Sequence, residues 1–154
     1  GDLPVLREAL EKILGELAYM LVQDGEGATK VMRIAVTGAR DQADAEKVAR
    51  TVGHSQLVTT AMYGRDANWG RIVAAVGLSG AEFLARDVRV SMCGVELFRN
   101  EQPTDIDFDT LLAEPLQGRD IAIDIVVGSG PGEYTLLASD LTHKYVDVNA
   151  DYRS

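Results

Sequence analysis

Apolar residues near the amino-terminal end recur every three to four positions. Leu6, Leu10, Ile13, Leu14, Leu17 and Leu21 share one helical face, and Arg7, Glu8, Glu11 and Lys12 take the other. The spacing predicts an amphipathic helix with Asp2 as its cap, Pro4 in its first turn and Asp24-Gly25 as its stop. The period then drops to two. Over 30–37, Met32, Ile34 and Val36 alternate against Lys30 and Arg33, which predicts a strand with one buried face. Residues 41–52 return to helical spacing, with Val48, Ala49 and Val52 inward and Gly53 as the stop. The small-residue stretch 57–61 reads as extended, and Asp66 and Asn68 are both candidate caps for a helix over 69–76.

The second half is richer in β-pattern. Residues 88–98 read as β-structure, with Gly94 as a bulge or close-approach point, and 109–113 as one helical turn before Pro115. Ile121, Ile123 and Ile125 alternate with Asp120, Ala122 and Asp124 in a clear strand. The stretch 128–132 (Gly-Ser-Gly-Pro-Gly) reads as a hairpin connection into a strand over 134–138. The end, 140–154, fits two patterns: Leu141, Tyr145 and Val148 suit a helix, Val146 and Val148 a strand. The sum is an α+β chain, a mixed α/β sandwich-type fold rather than a purely parallel sheet.

Composition narrows the function classes. The chain has 154 residues, 46% hydrophobic and 25% charged, which suits one domain, or a compact domain with a flanking element. No apolar run approaches the roughly 20 residues of a membrane span, and Gly1-Asp2-Leu3-Pro4 is not a secretory signal. The single Cys93 excludes an intrachain disulfide framework and fits a reducing cytosol, so a cytoplasmic protein is expected. Two histidines and one cysteine are too few for the usual structural zinc patterns, and no metal site is expected. With a net charge of -9 and no long basic run, neither nucleic acid nor a membrane surface is an expected partner.

Several segments invite chemistry. The 128–132 glycines resemble a phosphate loop, but Pro131 and a β-type run follow where a helix would have to begin. Asp24–Lys30 (DGEGATK) lacks the Gly-Lys-Ser/Thr ending of a Walker loop. Within it Glu26 stands between two glycines, where it is either a solvated surface acid or a carboxylate presented to a cationic amine. In 63–72 (YGRDANWGRI), caps and the only tryptophan suit a packing role, while Arg65 or Arg71 beside a helix start could form an anion pocket. At the carboxyl end, Asn149 and Ser154 can supply hydrogen bonds if the tail docks. Cys93 reads as a small buried apolar residue, and His54 and His143 as a helix-end and a solvated histidine.

Taken together, DGEGATK, the stretch 55–61 with YGRDANWGRI, and 140–154 (DLTHKYVDVNADYRS) resemble the ornithine acetyltransferase family, the bifunctional glutamate N-acetyltransferases of arginine biosynthesis. The resemblance runs along essentially the whole chain but only to the C-terminal part of such proteins. It departs at Thr59, where the family commonly has lysine, and at Ala67, where it has proline. Family members resemble precursors that cut themselves at an Ala-Thr bond, and the freed threonine accepts the acetyl group. The motif around that bond, Gly-Met-Ile-x-Pro-Asn-Met-Ala-Thr-Met, does not occur here; Ala28-Thr29 belongs to DGEGATK.

The resemblance therefore implies a portion of an acetyltransferase that lacks the threonine nucleophile and has no catalytic residue of its own. It implies substrate contacts at Glu26, Asn149 and Ser154, amino-acid substrates (N-acetylornithine and glutamate), and no cofactor. It further implies three parts: 1–30 as helix and DGEGATK turn, 31–139 as a C-terminal lobe, and 140–154 as a tail returning to the active site. The expected partners are the missing N-terminal chain of the same precursor and further copies, as a homo-oligomer. An isolated fragment is expected to be inactive and to expose apolar surface that favours self-association. A non-catalytic binding or assembly module with the same fold is the alternative.

Overall fold

The computed structural model describes residues 2–24 and 28–140. Its elements in chain order are α1 (Leu3–Gln23), β1 (Val31–Ala39), α2 (Gln42–Gly53), α3 (Gln56–Tyr63), α4 (Trp69–Gly77), β2 (Arg89–Met92), β3 (Val95–Arg99), β4 (Gln102–Pro103), α5 (Phe108–Leu112), β5 (Asp120–Val126) and β6 (Gly132–Ser139). The strands form one six-stranded sheet in the order β4-β3-β2-β5-β1-β6. The β1–β5 pair is parallel and the other pairs are antiparallel. This is the expected α+β class.

The strand periodicity decides which face is the core. Met32, Ile34 and Val36 of β1, Ile121, Ile123 and Ile125 of β5, and Val90 and Met92 of β2 are all buried. The register places Ile34 beside Ile123, and Ile123 beside Met92, so these residues share one face. They pack with Val48, Ala49 and Val52 of α2, Met62 of α3 and Ile72 and Val76 of α4 in one cluster. The opposite face shows Arg33, Thr37, Ala122, Asp124 and Thr135 to solvent.

Local chemistry sets the helix starts. Asp41 accepts from the Asp44 amide at 2.8 Å, Ser55 from Val58, Asn68 from Arg71 and Asp107 from Thr110, each filling an orphan donor of a first turn. Asp2 stands at the start of α1 without making such a bond.

Three expectations fail. Residues 57–61 are not extended but lie within α3. Ser55 caps that helix, the hydroxyls of Thr59 and Thr60 bond back to the carbonyls of Ser55 and Gln56, and Val58, Ala61 and Met62 are buried at helical spacing. The 128–132 stretch does not join hairpin partners: β1 lies between β5 and β6. The connection passes over the end of β1, where Val127 and Gly130 donate to the carbonyls of Thr37 and Gly38 at 3.0 and 3.1 Å. A Cβ on Gly130 would stand 2.2 Å from the Ala39 carbonyl oxygen, and one on Gly38 2.0 Å from that of Gly128. The glycines are there for backbone contact. Finally, Cys93 and Gly94 form the β2–β3 turn at φ +50° and +80°, so Cys93 is a half-buried turn residue and Gly94 is no bulge.

The long helix α1 stands apart from this core. None of its residues is buried, and Leu10, Leu14 and Leu17 are 54%, 55% and 51% exposed. Its carboxyl-terminal end is tied to the sheet by the Tyr19 hydroxyl donating to Asp120 at 2.6 Å and to the lobe by Arg119 donating to the Gln23 carbonyl at 3.0 Å.

Candidate functional site

Parallel β1 and β5 begin, and antiparallel β6 ends, at one margin of the sheet: Val31 is paired with both Asp120 and Ser139. Just past that margin the chain leaves the ladder on two sides. One strand of exit is Ala28-Thr29-Lys30, the end of the DGEGATK motif; the other is Asp140, the first residue of the carboxyl-terminal motif.

Asp140 binds the two together. Its carboxylate, 4% exposed with the rest of the residue, accepts the Thr29 and Lys30 amides at 2.8 Å each and the Thr29 hydroxyl at 2.5 Å. Charge-assisted bonds of this kind are short and strong, and a buried carboxylate requires them. The Asp140 amide in turn donates to the Lys30 carbonyl at 3.4 Å.

Lys30 does not take the polar outer face expected of it. It is 5% exposed, and its ammonium donates to the Gly118 carbonyl at 2.7 Å. Burial, and then the neighbouring Arg65 guanidinium, hold its pKa below the ordinary lysine value, while Asp140 pulls the other way. Arg65 comes from the middle motif, at the corner between α3 and α4, where its backbone takes φ +55°. The end of the first motif and the start of the last therefore meet at one margin of the sheet.

The rest of the middle motif is structural. Asn68 caps α4, Trp69 stacks on Phe98 with ring centroids 5.4 Å apart, and Arg71 donates to the Leu57 carbonyl at 2.9 Å. An anion pocket at Arg71 finds no support, because its guanidinium is engaged by that carbonyl. His54 closes α2 and is exposed, as expected.

On the open face of the same margin lies a cavity of about 300 Å³ lined by Tyr19, Val31, Arg33, Asp120 and Leu137 among others. The hydrogen bond to Asp120, then burial, raises the Tyr19 pKa and keeps its hydroxyl a donor. A second cavity of about 320 Å³ at the opposite margin is lined by Arg86, Arg89, Arg99, Gly128 and Ser129, none of them from the three motifs.

Glu26, Asn149, Ser154 and His143 lie outside the described residues. What is described is the ground on either side: Thr29, three residues after Glu26, and Asp140, the root of the tail. Sequence reading names neither Thr29 nor Asp140 as a site residue; nothing in one dimension links positions 111 residues apart.

Comparison with known proteins settles the family. The family model for ArgJ matches residues 1–154. The chain belongs to the ArgJ family. This is the ornithine acetyltransferase family that its motifs resemble. Its relatives include an arginine biosynthesis bifunctional protein ArgJ from Nitratidesulfovibrio vulgaris, 74% identical over 153 residues, and one from Bacillus subtilis, 40% identical over 153 residues. Each comparison covers 99% of this chain but 39% and 37% of the relative, so the chain spans well under half of their length. The crystal structure of an ArgJ protein from Bacillus halodurans matches with a TM-score of 0.93 at 34% identity, over 98% of this chain and 71% of that one.

Proposed function

We propose that this chain is the substrate-binding portion of an acetyltransferase that moves an acetyl group from N-acetylornithine to glutamate. Under this reading an enzyme-bound threonine, supplied by a part of the protein outside these 154 residues, attacks the amide carbonyl of N-acetylornithine. The C–N bond breaks, ornithine leaves with the proton, and the acetyl-threonine ester is then attacked by the amine of glutamate. An N-terminal threonine can use its own amine as the base, which makes self-cleavage a precondition for activity. The chain contributes Glu26 as counter-charge to a substrate ammonium, and Asn149 and Ser154 as neutral donors and acceptors for the amino-acid head. In this proposal 1–30, 31–139 and 140–154 act as motif-bearing arm, lobe and returning tail, in a cytoplasmic enzyme of arginine biosynthesis.

The observation that carries the reading is the Asp140 junction. Residue 29 is bonded to the Asp140 carboxylate, so the motif segments that carry Glu26, Asn149 and Ser154 in sequence are joined at their inner ends. Both substrates carry charges of both signs, which suits one acid among neutral groups. Glu26→Gln in the assembled enzyme removes a charge-assisted contact worth about 1.5–3 kcal/mol, so kcat/KM falls roughly ten- to a hundredfold. Unchanged kinetics would remove Glu26 from the site.

The exposed leucine face of α1 favours a second element of the reading: the chain works in assembly with the remainder of its precursor and in a homo-oligomer. A purely non-catalytic assembly module would use the same face. Joining the chain to the upstream part of an ArgJ relative and assaying acetyl transfer separates the two, since the module alone predicts no activity in the joined protein.

A further inference from the structure

We propose that Asp140, acting with Thr29, is a positioning residue that ties residue 29, near the end of the DGEGATK segment, to residue 140, where the carboxyl-terminal motif begins; this rests on the substrate reading given above. The ladder between β1 and β6 ends at Val31 and Ser139. Successive amides of an extended strand point to opposite sides. Yet the Thr29 and Lys30 amides both reach Oδ1 of Asp140, at 2.8 Å each. The chain is thus bent out of the strand at 29–30, and the acceptor that holds the bend belongs to the first residue of the tail.

The Thr29 hydroxyl occupies the second oxygen, Oδ2. Both oxygens are therefore bonded to residues 29 and 30, the end of the DGEGATK segment. Glu26 stands three residues before Thr29 in sequence, so under the substrate reading the junction acts on kinetics through a link of at most about 10 Å. The junction lies just past the last paired residues of β1 and β6, and its Lys30 and Asp140 are themselves buried. Lys30 supports the junction from below through its bond to the Gly118 carbonyl. Asp140 touches no reacting atom on this account; it acts through the segments it holds.

The test uses Asp140→Ala, Asp140→Asn and Thr29→Ala in two settings. Hydrogen exchange of the 154-residue chain reads the junction itself. In Asp140→Ala, the Thr29 and Lys30 amides lose about tenfold or more of their protection, as expected for loss of a charged acceptor, while Ile121, Ile123 and Ile125 keep theirs. In the enzyme assembled from this chain and the upstream part of its Nitratidesulfovibrio vulgaris relative, Asp140→Ala raises KM for the amino-acid acceptor by about tenfold and leaves kcat within about threefold. Asparagine offers Oδ1 to both amides and Nδ2 to the threonine hydroxyl, so Asp140→Asn recovers most of the KM. Thr29→Ala, which spares both amide bonds, shifts KM the same way but less. Unchanged protection at Thr29 and Lys30, equal loosening of the β5 amides, a kcat loss at constant KM, or equal defects in Asp140→Ala and Asp140→Asn would each overturn the proposal. Silence of Glu26→Gln alongside a normal exchange response would instead count against the substrate reading, because the junction would stand without it.

Discussion

Helix α1 gives the most quantitative prediction. Leu10, Leu14 and Leu17 fall at i, i+4 and i+7 on one face and remain 54%, 55% and 51% exposed. Complete burial of a leucine is worth about 1.5–3 kcal/mol, so covering the exposed half of three contributes roughly 2–4 kcal/mol. That corresponds to a change of about 30- to 1000-fold in a dissociation constant. The isolated chain therefore self-associates through this face, and loss of the stripe weakens that association by about this factor. The triple variant Leu10→Gln, Leu14→Gln, Leu17→Gln keeps good helix formers and loses the apolar stripe. Sedimentation velocity over a hundredfold concentration range reads both. The native chain gains mass with concentration and the variant stays at the mass of one chain, with far-ultraviolet dichroism preserved. A native chain that stays monomeric throughout, or a variant that associates equally well, would refute the reasoning. The remainder of an ArgJ precursor, when supplied, competes for the same face and suppresses the self-association.

Two further outcomes concern the lobe. Gly130→Ala drives a methyl to 2.2 Å from the Ala39 carbonyl oxygen, so the crossing over β1 must shift, and thermal denaturation shows a loss of about 1–3 kcal/mol; an unchanged Tm would mean that the loop does not cross there. Asp44 is buried and accepts from the Glu82 amide at 3.2 Å, with Arg40 and Lys47 beside it. The Glu82 amide, and then these cations, hold its pKa below the usual carboxylate value against the opposing effect of burial. Its contribution is therefore full above the ordinary aspartate pKa and fades as pH falls through the lowered folded value. Asp44→Asn lowers stability at neutral pH and flattens the acid limb of a Tm–pH profile; a limb as steep as in the native chain would contradict this.

The parts of the fold that were legible are those where one local pattern meets one environment. The alternation in β1 and β5 and the inward face of α2 match the buried residues, because period alone sorts their side chains. The stretch 57–61 resists such reading: Val58, Thr59 and Thr60 have strand-like side chains, and the helix depends on the Ser55 cap and on burial of Met62 against elements distant in sequence. The 128–132 connection is misread because adjacency in sequence suggests a hairpin, whereas β1 takes the place between β5 and β6. In α1 the amphipathic face is legible, but not that it stays exposed among the described residues. Of the candidate site, the motifs reveal the family and Glu26, Asn149 and Ser154 as candidates. They do not reveal Asp140, Thr29 or the burial of Lys30, since a carboxylate bridging 111 positions has no one-dimensional signature.

The central claim is that Glu26 and the carboxyl-terminal residues serve one amino-acid ligand. Its most direct measurement is a crystal structure of the assembled enzyme with ornithine bound. The account predicts the Glu26 carboxylate at hydrogen-bond distance, about 2.7–3.2 Å, from an ornithine ammonium, with Asn149 and Ser154 bonded to the same molecule. Ornithine seated elsewhere, or bound to Glu26 with both tail residues beyond reach of it, would contradict the account.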